Sequence, residues 1–371
     1  MKKLVLLGGG HAHVEVLRRL GLHPMSGVEL TLVSPDRHTP YSGMLPGLVA
    51  GHYDFNDAHI DLEPLAHFAG ARFLQTSAIA LNAAQRCVTL ADGSTLAYDA
   101  ISMDVGSTPP AQGIAGAAEH TLPVRPVRDF LPAWEALLAR AGEARTLAMV
   151  GGGAAGVEML LAMQHRLMQL PAPHEFHYVL VTDTPHLLAN HASGVRATLT
   201  RNLARKHIAV HCATRVARVE ARALIAENGA RIEADAIFLA TGAAAPRWLT
   251  GSGLTLNEKK FININKYLQS SSHAEIFAAG DCATIAGAHY PKSGVYAVRQ
   301  GPPLAENLRR FLCGESLIAY SPQPRTLALI STGEPHAIAS WGALSFHGNW
   351  VWRWKDGIDR KFMAKYRSPW K

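Results

Sequence analysis

Two glycine-rich turns constrain what this chain can fold into more than any other feature. The first lies in Val5-Leu6-Leu7-Gly8-Gly9-Gly10-His11-Ala12-His13-Val14-Glu15, the second in Leu147-Ala148-Met149-Val150-Gly151-Gly152-Gly153-Ala154-Ala155-Gly156-Val157-Glu158. Each follows a short apolar run and opens a helix-like pattern, the context in which a strand hands over to a helix at a dinucleotide. The first glycine permits the tight turn, the second lets the backbone approach a pyrophosphate, and the third lets helix and strand pack closely. The helix start then offers free N–H groups and a positive dipole end. The second turn has all three, Gly151, Gly153 and Gly156. The first has Gly8 and Gly10 but carries His13 in the third place. One such turn can be an ordinary loop of an α/β protein. Two of them point to two dinucleotides and an electron relay between them.

An acidic residue normally ends the second strand of each unit and binds a ribose hydroxyl. After the candidate strands at 28–33 and 177–181, Ser34 and Thr182 stand in that place, with Asp36 and Asp183 slightly beyond. No Arg follows Thr182 to receive a 2′-phosphate, so NADH is favoured over NADPH at the second turn.

The rest of the chain repeats one plan. Residues 1–108 read as β-α-β units, then short strands at 72–81 and 86–90 with a hairpin at Asp92-Gly93. A buried strand then ends at Asp104-Val105-Gly106. Pro109, Pro110, Pro123 and Pro126 mark a linker, and 128–142 reads as a helix. Residues 145–245 repeat the β-α-β plan and close on Ala240-Thr241-Gly242. A third apolar strand stops at Gly280-Asp281. Residues 293–313 read as a helix broken by Gly301-Pro302-Pro303, and a hairpin is expected around Thr332-Gly333-Glu334-Pro335.

Composition removes several alternatives. With 371 residues and 48% hydrophobic content the chain can build two or three cores. No apolar run reaches the roughly 18 residues of a spanning helix. The start, Met1-Lys2-Lys3-Leu4, imitates a signal peptide, but its apolar stretch runs straight into the first glycine turn and reads as a core strand. Cys87, Cys212, Cys282 and Cys313 are scattered and form no C-x-x-C pair, which fits a reducing cytosol. No metal site is expected, because no histidine has ligand spacing with a cysteine. The charge of +7 and pI near 9.3 call for an acidic partner surface, nucleic acid or anionic lipid.

The order of a glycine turn, a strand ending in Gly, a second glycine turn, Ala-Thr-Gly and then Ile276-Phe277-Ala278-Ala279-Gly280-Asp281 resembles the FAD-dependent pyridine nucleotide-disulfide oxidoreductase superfamily. Within it the chain is similar to the type II NADH:quinone oxidoreductase and sulfide:quinone reductase branch. It resembles most closely the reductase-like module associated with selenide, water dikinase. The resemblance implies an α/β fold of two Rossmann-like, three-layer ββα domains, the second inserted in the first, plus a small C-terminal α+β region. It implies an FAD-binding domain in two parts, 1–125 and 246–320, an NAD(P)H-binding domain at 126–245, and a C-terminal hairpin and tail at 321–371.

Site residues follow from the same resemblance. Gly8, Gly10, His11, Ala12 and His13 would lie at the FAD pyrophosphate, with Ser34, Pro46, Ala78 and Gly106 along the cofactor. Asp281 after Gly280 would bind the ribityl chain, and a helix start at 297–301, with Val295 and Gln300, would face the flavin pyrimidine edge. Residues 41–46 would run beside the flavin, where dithiol reductases carry a cysteine pair that this chain lacks. Gly151, Gly153, Ala154, Ala155, Gly156, Asp183 and Gly242 would hold NAD(P)H. Glu158 would position the nicotinamide and Lys292 would face the flavin. Each also has a plainer reading, as a first-turn acid favoured by the helix dipole and as a solvated lysine. His11 and His13 invite a proton-donor role, but backbone contact with the cofactor is the simpler one.

The implied function is an oxidoreductase passing hydride from NAD(P)H to FAD and two electrons onward, to a quinone or other small acceptor, without a redox disulfide. A flavoreductase of selenium or sulfur metabolism and a non-catalytic redox sensor are the alternatives. The tail adds a location. Five of seven tryptophans lie after residue 340, and residues 349–371 carry seven Lys or Arg against two Asp, a net +5. Trp350, Trp354, Ile358, Phe362 and Tyr366 recur every four positions and predict one apolar helical stripe. Trp with basic residues suits an anionic bilayer surface, and packing on the body or on a second copy in a homodimer is the alternative. The chain is expected in the cytoplasm, on the inner face of the membrane if the tail binds lipid. Nucleic acid is not expected, since no recognition module accompanies the charge.

Overall fold

The structure is a computed structural model and describes residues 1–108, 114–140, 145–171, 176–288 and 290–368. Pro109, Pro110, the end of the helix expected over 128–142, and Trp370 lie outside the described residues. In chain order the elements that shape the site are β1 (Lys2–Leu7), α1 (His11–Leu22), β2 (Val28–Ser34), β3 (Arg72–Gln75), β4 (Ala100–Met103), α2 (Val127–Ala139), β5 (Thr146–Val150), α3 (Ala154–Leu167), β6 (His177–Val181), β7 (Ile208–His211) and β8 (Ala236–Leu239). There follow β9 (Ile276–Ala278), α4 (Gly294–Cys313), β10 (Ala328–Thr332), β11 (Glu334–Trp341), β12 (Leu344–Gly348) and α5 (Asn349–Arg367).

Two parallel sheets carry the two glycine turns. The first has order β9-β4-β1-β2-β3, so its edge strand comes from beyond the second sheet. The second runs from the short strand Leu122–Pro123 through β8-β5-β6 to β7. β1 and β5 are central, and their apolar runs are buried on both faces as a parallel sheet requires. Each sheet has its own core, one built on Leu4, Leu6, Leu17, Leu32 and Ile101, the other on Leu147, Met149, Leu160 and Phe238. The turns therefore lie at the carboxyl ends of central strands, where open α/β sheets bind ligands. The mixed α/β fold is the one expected.

Two elements depart from the sequence reading. α4 is continuous for 20 residues although it contains Pro302 and Pro303. The prolines free the carbonyls of Val298 and Arg299, and both of those residues line the cleft described below. The helix holds because its buried face packs along α1; a Cβ at Gly301 would already press on Glu15. In α5 the four-residue stripe does not form one face. A helix advances about 100° per residue, so a strict repeat of four drifts about 40° each step. Phe362 and Tyr366 are buried, but Trp350, Trp354 and Ile358 are 54%, 43% and 42% exposed. The buried stripe is Val351, Lys355, Asp359, Phe362, Met363 and Tyr366.

The expected hairpin is present, β10 against β11, turning at Gly333 with φ +93°. A third strand, β12, joins it unforeseen. This small sheet and α5 bridge both halves. Glu158 on α3 accepts the Ser331 amide of β10 at 2.8 Å, and Tyr366 of α5 donates to Glu15 of α1 at 3.1 Å.

Candidate functional site: a two-dinucleotide cleft

Both glycine turns open into one cleft of about 3930 Å³. Single-ligand pockets are typically about 300–1,000 Å³, so this one has room for two dinucleotides. Gly8, Gly10, His11, Ser34, Pro46, Ala78 and Gly106 line it, as do Asp281, Lys292 and Val295. So do Gly151, Gly153, Ala154, Ala155, Glu158, Asp183 and Gly242. The remaining sequence-predicted residues, Ala12, His13, Gly156, Gly280 and Gln300, stand behind its wall. Gly156 lets α3 close on the Gly151 carbonyl, which a Cβ would strike. Gly280 packs in the same way on Asp104, and its N–H is held by Gln300 Oε1 at 2.7 Å.

The second turn fits a nicotinamide dinucleotide. Gly153 and Gly242 face open space, and a Cβ added at either would meet nothing within 4 Å. Thr241 Oγ1 is buried without a partner among the described residues. Asp183 lies 3.8 Å from Arg215, an ion pair on the cleft wall that the sequence did not signal.

The first turn fits FAD, with one unusual feature. Gly106, φ +68°, faces open space where β4 ends. His11 accepts the Ser42 amide at 3.3 Å, and the ring of Tyr41 stacks on Phe362 of α5 at 4.2 Å. His13 is not in the cleft. Its ring is wedged between the Gly8 carbonyl at 2.6 Å and Ser102 Oγ at 2.8 Å. Burial pulls both His11 and His13 down to about 4, so both are neutral near pH 7. The unusual feature is Asp104, 4% exposed, whose Oδ2 accepts the amides of Ala12 at 2.7 Å and His13 at 3.2 Å. Burial pushes its carboxyl up to about 7.

Charged side chains cross between the halves. Arg125, which follows the Leu122–Pro123 strand of the second sheet and so falls outside the first unit's expected bound at 125, reaches Asp281 at 3.1 Å, and Arg128 of α2 reaches Asp36 at 3.0 Å. Lys292 is tied back, bonded to the Ala283 carbonyl and to Thr284 Oγ1 at 2.9 Å and lying over the Phe261 ring. Burial lowers its pKa. On α5, Lys355 bonds the Gly43 carbonyl and pairs with Asp359 at 2.6 Å, both nearly buried. Burial raises Glu158 to about 7, while Lys355 acts to lower it. Glu158, Lys355 and Asp359 all line the cleft, close enough for both α5 charges to act on Glu158.

Sequence reasoning missed Asp104, Arg125, Arg128, Lys355 and Asp359. A signal existed for Asp104, since aligning the two strand ends sets it against Ala240. Lys355 and Asp359 stand four apart on the tail helix, but nothing in the sequence shows that this face turns inward. Cys282 is buried, its thiol pushed up to about 12 by burial, and Cys87, Cys212 and Cys313 are also free. Among the described residues no cluster of His, Cys, Asp and Glu could hold a metal, and no helix is long and apolar enough to cross a membrane.

Two parallel-sheet nucleotide folds that share one cleft define a two-dinucleotide oxidoreductase. The chain belongs to the pyridine nucleotide-disulphide oxidoreductase family, whose pattern matches residues 2–301. It is 25% identical over 270 residues to ferroptosis suppressor protein 1 of Xenopus tropicalis, covering 69% of this chain and 68% of that protein. It is 21% identical over 339 residues to the type II NADH:quinone oxidoreductase of Staphylococcus epidermidis, covering 85% and 84%. Among solved structures its fold is similar to the sulfide:quinone oxidoreductase of Aquifex aeolicus, with a TM-score of 0.84 at 18% identity, covering 100% of this chain and 92% of that one. The chain is an oxidoreductase that uses FAD and NAD(P)H.

Proposed function

We propose that this enzyme passes two electrons from NAD(P)H through FAD to a quinone, with no redox disulfide. The observation that carries the acceptor is the continuity of the cleft with α5. Ile358 and Phe362 line the cleft, and Ile358 continues outward into exposed Trp354 and Trp350, with Trp341, Leu344 and Phe346 nearby on β11 and β12. An apolar path from a flavin site to an apolar surface suits a lipid-dissolved acceptor.

FAD, when bound, supplies the two-electron carrier. The amides of Gly10 and His11 in the first turn would hold it, and those of Ala154 and Ala155 in the second would hold NAD(P)H. Glu158, fixed by the Ser331 amide, orients the nicotinamide end. Lys355, paired with Asp359, sets a positive charge on the cleft wall where the acceptor would be reduced. Lys292 braces the loop before α4 through its bonds to Ala283 and Thr284. The exposed face of α5, with its basic neighbours, rests on an anionic bilayer.

Anaerobic stopped-flow mixing tests the relay. NADH must bleach the flavin, and a quinone series must reoxidise it faster than soluble acceptors do; the reverse order would remove the quinone. Deleting 346–371 would also strip Phe362 from the cleft. Trp350→Ser with Trp354→Ser therefore tests lipid contact more cleanly, by pelleting with phosphatidylglycerol vesicles.

A further inference from the structure

The two glycine turns are structural copies, and the copies differ at two places that face one another. A Cβ on Gly8 would strike the backbone of Asp104 and Val105; a Cβ on Gly151 would strike that of Ala240 and Thr241. Against that common frame, His13 replaces Gly156 and Asp104 replaces Ala240. In the second turn a Cβ on Gly153 would meet nothing within 4 Å, and Ala240 offers no carboxylate to the amides of Ala155 and Gly156, the counterparts of Ala12 and His13. In the first, a Cβ on Gly10 would overlap the Asp104 carboxylate, which already holds the amides of Ala12 and His13. The first turn thus keeps an anion of its own behind the helix start that serves a pyrophosphate.

We propose that Asp104 sets the affinity of the first site for FAD by entering the complex protonated, so that where Asp104 is ionised in the free protein, FAD binding takes up one proton from solvent. The proposal rests on the first turn being the FAD site. Two anions at one buried helix start repel in a medium that screens poorly. A neutral carboxyl removes that repulsion, keeps a carbonyl oxygen for an amide, and gains an O–H to donate.

The groups around Asp104 leave it alone to change charge near neutrality. His13 and His11 are neutral, drawn down to about 4 by burial. The Cys282 thiol is held up near 12 by burial. Asp281 is paired with Arg125, and Lys292 is bonded to Thr284. The phosphates and rings of FAD do not titrate near neutrality.

The test is equilibrium dialysis of the full chain against graded FAD, from about pH 6 to about pH 9. Affinity should fall about tenfold per pH unit above the Asp104 pKa, the slope of one linked proton. Calorimetry in two buffers of different ionisation enthalpy should count close to one proton taken up at about pH 9 and close to none at about pH 6. Asp104→Asn, which keeps an amide acceptor, and Asp104→Ala, the residue type of the second turn, should each bind with little pH dependence and more tightly than the wild type at the alkaline end. A flat wild-type profile, or variants that keep its slope, would overturn the inference while leaving the FAD site in place. No FAD binding at any pH would overturn both.

Discussion

Residue by residue, the same motif position has two physical solutions. Gly156 lets α3 approach the Gly151 carbonyl. His13 fills the corresponding space and satisfies both ring nitrogens, on Gly8 and Ser102. Gly156→Ala should therefore push α3 outward and raise the KM for NADH on the order of tenfold, about 1.4 kcal/mol. Bound FAD, read by absorbance of the purified protein, should stay near full occupancy. Glu158 gives a pH prediction. Its folded pKa is raised from 4.5 to about 7, chiefly by burial. The folded chain therefore holds its proton more tightly than the unfolded one. This stability is full below about pH 4.5 and is lost as pH rises through about 7, by about 3 kcal/mol at most. Chemical denaturation across that window should show a shallower slope for Glu158→Gln.

Among the helices and strands, α5 shows how one helix can serve two surfaces. Its C-terminal half is bound to the body by Tyr366 on Glu15, Arg367 on Asp57 at 2.8 Å and Phe362 on Tyr41. Its N-terminal half leaves Trp350 and Trp354 in solvent. Between them lies the Lys355–Asp359 pair. Lys355→Met strands a buried carboxylate and should cost about 3 kcal/mol in denaturant unfolding. Adding Asp359→Leu should restore most of that, because the two losses share one interaction. The double variant should regain stability but not the rate of quinone reduction, because the positive charge on the cleft wall is gone. The helix itself was legible in its spacing. Which face turned inward was not, because a repeat of four crosses the helix and the buried stripe is chosen by distant partners, Glu15, Tyr41 and Gly43.

Across the full chain, the proposed relay predicts no thiol step. The 41–46 segment beside His11 carries no cysteine, and Cys282 is buried with its thiol donating to the Ala279 carbonyl at 3.2 Å. Alkylation by N-ethylmaleimide, which reaches exposed Cys313, should leave NADH-dependent flavin reduction within about twofold, since no nucleophilic thiolate is exposed at the site. Larger loss, tracked by mass spectrometry to a single cysteine, would restore a sulfur step to the mechanism.

The two nucleotide-binding units, their order and the position of each turn could be read from the order of residues alone. Those features rest on local rules: apolar runs make central parallel strands, and glycine alone tolerates the close approaches at Gly8, Gly151 and Gly156. What surrounds the turns was settled by the folded arrangement. Asp104 meets the start of α1 across two neighbouring strands, Arg125 and Arg128 reach carboxylates in the other half, and β10 delivers a backbone amide to Glu158. Such contacts join residues tens to hundreds of positions apart, so no local pattern encodes them. They exist because two sheets and a terminal helix close around one cleft.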